Sequence, residues 1–336
     1  MSSVLVRLRP TGPWRIGPDS GDRDRVERIY HSDALYSAVC GAMVRLGNLE
    51  DWLDATARAI DHGREPAVRF SSCFPFHNET LYVVPPQHLW PPPASSKIRW
   101  KGARFVPFAV VESLLAGKPP SEDAWIVDGE SECLLPATAT AGSTLFRASV
   151  RSSAAVDRGG DAATPHSVAC LEFTTGSGFW FIAEFANDAA ERQWSERVKA
   201  AIRLLADSGF GGERSRGWGR SQAPEFRDNP ALLGAPGEGE GETGHWMLSL
   251  FHPSANDAVN WQRGDYSLTT RGGRVESESG WGQMKKNTRM VAEGSVLVSS
   301  AQPRGAAANV APDGFAHPVY RAGFALSLPV PLKVSA

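Results

Sequence analysis

Between Gly209 and Arg220 the chain reads Gly-Phe-Gly-Gly-Glu-Arg-Ser-Arg-Gly-Trp-Gly-Arg, with five glycines and three arginines. Arginine carries a permanent charge on a planar fork that fits phosphate oxygens. Glycine lets a loop take φ > 0 and lets another chain come close to its backbone. An aromatic beside such a loop can stack on a base. Gly211, Gly212, Arg214, Ser215, Arg216, Trp218 and Arg220 are therefore the first candidates for holding a polyanion with exposed bases, most simply RNA. The glycine amides and the arginines would meet phosphates. Trp218 would either stack on a base or pack into the core at the head of the next strand. The same pattern also fits a glycine-rich turn with solvated charges.

Further cations occur in clusters. Arg147, Arg151 and Arg158 lie in a segment that begins as a strand and ends in a Gly-rich tip. They fit either a track along RNA or surface ion pairs. Arg271 opens Arg-Gly-Gly-Arg, and Lys285 and Lys286 precede an apolar strand. Lys97 to Arg104 alternates basic and apolar residues, as a basic edge strand or a secondary contact would.

The elements that must position these groups follow from periodicity. Val4, Val6 and Leu8 alternate with Leu5 and Arg7, as in a half-buried strand. Asp19 to Arg28 mixes acids and bases and reads as a solvated loop. Ser32 and Asp33 open a helix whose apolar face is Leu35, Val39, Met43 and Leu46, with Gly47 at its end. A second helix is expected from Leu49 to about Asp61. Val68–Phe76 and Leu81–Val84 read as strands, Phe108–Leu115 as a short helix, and 122–142 as patternless. Leu171–Thr174 and Phe179–Phe185 flank Thr-Gly-Ser-Gly, a hairpin signal. Trp194, Val198, Ala201, Ile202 and Leu205 mark an amphipathic helix leading into the Gly-rich loop, and Trp218–Phe226 reads as the following strand. The order is βαββαβ, the plan of ferredoxin-like and RNA-recognition domains. Residues 1–228 form a first domain with an insertion at about 64–165. A Gly/Glu-rich linker spans 229–244, and 245–336 form a second domain.

Composition bounds the function. The 336 residues are 42% hydrophobic with a formal net charge of −2, so an RNA surface must come from local clustering. Four scattered cysteines (Cys40, Cys73, Cys133, Cys170) argue against a zinc site or a disulfide framework, and for a reducing cytoplasm. No apolar run approaches a membrane span, and the opening residues do not read as a signal peptide. No cofactor motif is present.

An ordered set of landmarks gives these features a common frame. They are Ser32-Asp33-Ala34-Leu35, Ser71-Ser72-Cys73-Phe74-Pro75-Phe76, Val156-Asp157-Arg158, the loop Gly209–Arg220, Arg271-Gly272-Gly273, Lys285-Lys286, Glu293-Gly294-Ser295-Val296 and His317-Pro318-Val319-Tyr320. In that order the chain resembles the RAMP-type Cas subunits that cap the guide-RNA 5′ handle in type III-A CRISPR (Csm) complexes, the Csm subunit-four family. Ala34 stands where that family often has Thr. The resemblance implies an α+β chain with tandem ferredoxin-like (RRM-like) RAMP domains and a non-catalytic role in an antiviral ribonucleoprotein. It implies contacts with the CRISPR RNA 5′ handle, with the large polymerase-palm Cas subunit and with the adjacent backbone RAMP subunit. Ser32, at the first helix, joins the arginines and lysines above as an RNA-contacting candidate. Related RAMP proteins include endoribonucleases, so His31 beside Asp33 stands as an alternative acid–base pair for a 2′-hydroxyl. Ser32-Asp33 is equally explained as a helix start.

Overall fold

The computed structural model describes residues 2–18, 20–92, 99–139, 143–156, 163–230, 232, 242–277 and 280–332. The chain is mixed α/β. Its first unit is built on strand β1 (Ser3–Leu8), helices α1 (Ser32–Arg45) and α2 (Leu49–Ala55), and strands β2 (Val68–Phe70), β3 (Phe74–His77), β4 (Thr80–Val83) and β5 (Val106–Pro107). Helix α3 (Phe108–Leu115) and the pair β6 (Trp125–Val127) and β7 (Leu134–Pro136) follow. Then come β8 (Phe146–Val156), β9 (Ala163–Phe173), β10 (Ser177–Phe185), α4 (Asp188–Ser208) and β11 (Glu225–Asp228).

The main sheet runs β11-β1-β10-β3-β4-β5, with β2 also paired to β10. Within it, β1, β3, β10 and β11 are antiparallel neighbours in the order fourth, first, third, second. Helix α1 joins the first strand of this set to the second, and α4 joins the third to the fourth. β1 sits between β10 and β11, and its residues from Val4 onward are buried. On one face, Phe181 of β10 meets Phe70, whose ring approaches Trp52 of α2, and Trp52 meets Trp194 of α4. α4 is secured at its start by the Asn187 side chain, which accepts from the Ala190 N–H at 3.0 Å.

Alternation along β10 turns Trp180 to the opposite face. There its indole N–H donates to the Tyr82 carbonyl at 2.8 Å, and its ring meets Phe74 and Phe108 of α3. Phe108 also packs on Trp246 of the second unit. Around Trp180 this sheet face is thus packed against α3 and the second unit.

Several elements differ from their sequence expectations. α2 stops at Ala55, and only a short 3-10 turn follows at Ile60–His62. Residues 122–142, expected to lack pattern, contain the β6–β7 pair. The tight connection around Gly176 is present, but β9 and β10 do not pair with each other. β9 pairs along its length with β8 in a separate two-stranded arm, while β10 enters the main sheet.

The second unit contains β12 (Thr243–Met247), β13 (Leu268–Arg271), β14 (Arg274–Ser277), β15 (Gly280–Met284), β16 (Thr288–Val291), β17 (Val296–Leu297), β18 (Ala307–Asn309), β19 (Tyr320–Ala322) and β20 (Ser327–Pro331). Its sheet is β17-β12-β20, all antiparallel, and the other strands form two-stranded pairs. Among the described residues it holds no helix. One apolar core crosses both units: Trp246, Leu248, Phe324 and Leu326 belong to the same buried cluster as β1, α1 and β10.

Candidate nucleic-acid interface

The Gly-rich loop leaves α4 through Gly209 and is pinned from below. Phe210 is buried against Trp14 and Tyr30, with ring centroids at 4.7 and 5.1 Å. Gly219 has φ +76°, and a Cβ there would collide with the Phe210 carbonyl, so glycine is required. Segment 10–16 holds the loop and the β8–β9 arm together. The Gly212 N–H donates to the Arg15 carbonyl at 2.9 Å and the Gly219 N–H to Pro13 at 3.0 Å, while Trp14 and Leu171 exchange two backbone bonds. The Gly212 amide, expected to meet phosphate, is therefore already used inside the fold.

This scaffold leaves Arg214, Ser215, Arg216 and Arg220 exposed, with Gly211, Gly212 and Trp218 half-buried. A short 3-10 turn, Arg214–Arg216, sits between Glu213 at φ 59° and Gly217 at φ 78°. Arg216 docks the loop on the arm. It donates to Ser153 Oγ at 3.1 Å, lies 2.9 Å from His166 Nε2, and pairs with Glu213 at 3.2 Å. On the same face of the arm, Arg147 and Arg151 share Glu172, Arg147 at 3.2 Å. Burial raises the Glu172 carboxyl, but Arg151 and Arg147 outweigh it and hold the group below its ordinary value. Loop and arm together form a ridge on which five arginines face two glutamates, Glu172 and Glu213. Arg158 lies outside the described residues.

Two other candidates are not on this ridge. Ser32 is buried: its hydroxyl accepts from the Leu250 N–H at 3.0 Å, and its own N–H donates to Ser72 Oγ at 2.8 Å. Arg271 is buried against Asp33, with bonds of 3.1 and 3.2 Å, and Arg321 contacts the same carboxylate. Both are buried in a joint between the units, apart from the ridge. His31 Nδ1 lies 2.7 Å from Glu293 Oε1, which also accepts from Ser72 Oγ. Burial alone would raise both acids. Arg271, Arg321 and His31 instead pull Asp33 well below the usual carboxylate range, and His31 and Ser72 lower Glu293. His31 and Asp33 thus each face a separate partner from the second unit. Lys285 is half-buried near the end of β15, and exposed Lys286 pairs with Asp313 at 2.6 Å.

Sequence reading missed Arg15, which sits in a Pro/Gly-broken segment. Its buried guanidinium donates to the carbonyls of Asp22, Arg23 and Ala169 at 2.8, 2.9 and 2.8 Å. Burial lowers its pKa. Only a signal linking residue 15 to residues 169 and 212 would have found it. Among the described residues, no His, Cys, Asp and Glu group is arranged to hold a metal, and no helix is long and apolar enough to cross a membrane.

Comparison with known proteins gives this geometry a family. Residues 240–330 match the family model described as the CRISPR Csm4 C-terminal domain. The protein called CRISPR system Cms protein Csm4 of Methanocaldococcus jannaschii is 20% identical over 339 residues, covering 88% of this chain and 86% of its own. A chain in the crystal structure of a Csm3-Csm4 subcomplex of the type III-A CRISPR-Cas interference complex superposes with TM-score 0.65 at 16% identity. It covers 98% of this chain and 99% of its own. A chain of a Csm1-Csm4 cassette in complex with cA4 gives TM-score 0.59 at 18% identity over the whole of both chains. The family match in the second unit and the curated relative along most of the chain agree with the order of landmarks in the sequence. Residues 240–330 thus match the Csm4 C-terminal domain, and the chain is similar along most of its length to a Csm4 protein and in fold to chains of type III-A Csm assemblies.

Proposed function

We propose that this chain is a non-catalytic RNA-binding subunit of a type III-A effector complex in the cytoplasm, holding the 5′ handle of the CRISPR RNA. The ridge carries this reading. Exposed Arg214, Arg216 and Arg220 stand on a loop fixed to an arm that bears Arg147 and Arg151 on the same side. Such a surface suits a single strand held by its phosphates. The similar solved structures are assemblies of Csm4 with Csm1 and with Csm3, which supports the large polymerase-palm subunit and the adjacent backbone RAMP subunit as partners here.

The domain reading is part of the same proposal. The first unit, with the linker after residue 228, follows the ferredoxin-like plan. The second is a divergent copy, because β20-β12-β17 corresponds to the fourth, first and third strands of that plan. Its β13–β16 and β18–β19 pairs stand where the helices would be. The non-enzymatic reading is supported by the separate buried partners of His31 and Asp33.

The test is binding of a repeat-derived handle RNA to the full chain, measured by fluorescence anisotropy across a salt series. Replacing Arg214, Arg216 and Arg220 with Ala should weaken binding at least about tenfold. It should also reduce the slope of log K against log salt by up to about 2, at roughly 0.7 per phosphate contact. Unchanged affinity and slope would refute the ridge.

A further inference from the structure

Arg15 lies beneath the ridge, buried, and spends its guanidinium on main-chain carbonyls. Nη1 donates to Arg23, Arg25 and Ala169 at 2.9, 3.3 and 2.8 Å, and Nη2 donates to Asp22 at 2.8 Å. Residues 22–25 are exposed, as their alternating charges predict, yet their backbone is held from inside. Ala169 belongs to β9 of the arm, and its N–H donates to the Arg23 carbonyl at 2.7 Å. The Arg15 carbonyl accepts from the Gly212 N–H at 2.9 Å, and the two residues form an antiparallel bridge. Arg15 therefore touches three segments far apart in sequence: 22–25, the arm and the Gly-rich loop.

The same residue accounts for the glycine pair that faces it. A Cβ on Gly211, at φ +90°, would stand 2.6 Å from the Arg15 carbonyl oxygen, and one on Gly212 would stand 3.0 Å from Arg15 Cδ. Gly211 and Gly212 thus make room for Arg15. The loop has a second, outer attachment to the arm, where Arg216 meets Ser153 and His166. That attachment is made by an exposed arginine, the kind that turns to a phosphate when a strand binds. Arg15, buried and bonded to carbonyls, stays in place when Arg216 turns away. A surface already held in its bound arrangement binds more tightly, because less freedom is lost on binding. Only a guanidinium suits the post, since its planar fork serves several acceptors at once, whereas an ammonium gathers its donors at one point.

We propose that Arg15 is the positioning residue of the ridge: it fixes the Gly-rich loop against the β8–β9 arm, so that the arginines of both meet one RNA strand without rearrangement. The proposal rests on RNA being the ligand of the ridge. Arg15 itself touches no phosphate, and a positioning residue differs from a contact residue in its salt dependence. Loss of a contact lowers both the affinity and the slope of log K against log salt. Loss of position lowers the affinity alone, because the same phosphates are neutralised once the loop has been ordered.

The experiment sets Arg15→Lys beside the parent chain and the triple-alanine variant of Arg214, Arg216 and Arg220 in the handle-RNA titrations across salt. Hydrogen exchange of residues 209–220 and urea unfolding are followed on the same full-length proteins, and affinity is expressed per folded molecule. Arg15→Lys keeps the charge but cannot reach the four carbonyls together. Handle affinity should fall about fivefold at every salt concentration, with the slope unchanged. The loop amides should exchange at least about tenfold faster. Gly212→Ala retains Arg15 but crowds its side chain, and it should act in the same direction, so the result does not depend on one variant folding. Parent-like affinity in both variants, while the triple variant binds weakly, overturns this proposal alone. Lost stability with parent-like affinity does the same, since it makes Arg15 merely structural. A reduced slope in Arg15→Lys also does so, since it makes Arg15 a phosphate contact. Parent-like affinity and slope in the triple variant overturn the ridge reading, and this proposal with it.

Discussion

The joint between the two units and the ridge on the Gly-rich loop are built from the same residue types with opposite accessibility. At the joint, Arg271 and Arg321 converge on Asp33, and His31 and Ser72 on Glu293, all buried. On the ridge, Arg147 and Arg151 share Glu172 and Arg216 meets Glu213, with every arginine exposed. A buried charge deprived of its partner costs several kcal/mol, because nothing replaces the water it gave up. An exposed pair is worth little to stability, because water takes the place of either partner. The joint arginines are therefore committed to the fold, while those of the ridge can exchange a carboxylate for a phosphate at small cost.

The largest effect should come from Asp33→Ala. It removes the carboxylate that two buried guanidiniums share and should lower unfolding stability by about 3–5 kcal/mol, as loss of one partner of a buried ion pair does. Urea unfolding at neutral pH measures this directly. A loss below about 1 kcal/mol, typical of exposed pairs, would erase the distinction between the two regions.

Acid should act on the same joint. Both Asp33 and Glu293 have folded pKa values below their ordinary ones. Depressed carboxylates add stability that is fully present above their unfolded values, near 4, and is lost as pH falls through the folded ones. Glu293→Gln keeps the shape but removes the charge facing His31 and should cost about 1–3 kcal/mol at neutral pH. The variant should also lose less stability than the parent on acidification. Equal losses in the two proteins, followed by unfolding across pH, would remove Glu293 from the joint's acid response.

How much of this was legible depended on the distance between partners in sequence. β1, α1, α3 and α4 declare themselves by local period, and the ends of α1 and α4 by Gly47 and Gly209, whereas Ser32, expected to cap α1, is its first helical residue after His31 and its hydroxyl serves Leu250 instead. The Gly-rich loop was legible for the same reason, since its glycines and arginines are consecutive. The joint was not, because His31 and Glu293 stand 262 residues apart and Asp33 and Arg321 stand 288 apart. Arg271 sat in the same kind of Arg-Gly context as the ridge residues, and only tertiary pairing distinguishes them. The β9–β10 turn misled for a related reason: a tight turn fixes a change of direction, not which strand each neighbour pairs with.

The smallest effect gives the sharpest contrast, because it repeats the Glu293→Gln chemistry on the ridge. Glu172→Gln frees Arg147 and Arg151 from their shared carboxylate and adds one net positive charge to the outer face of the arm. Stability should hardly change, since the arginines remain solvated. Handle-RNA affinity should instead rise, by about twofold at low salt, and the gain should fade as salt is added, because the charge acts through released counterions. Anisotropy titrations at two salt concentrations, run beside urea unfolding, read both quantities on one preparation. A marked stability loss without an affinity gain would make Glu172 a member of the scaffold, and the arm a strut for the Gly-rich loop rather than part of the surface that holds RNA.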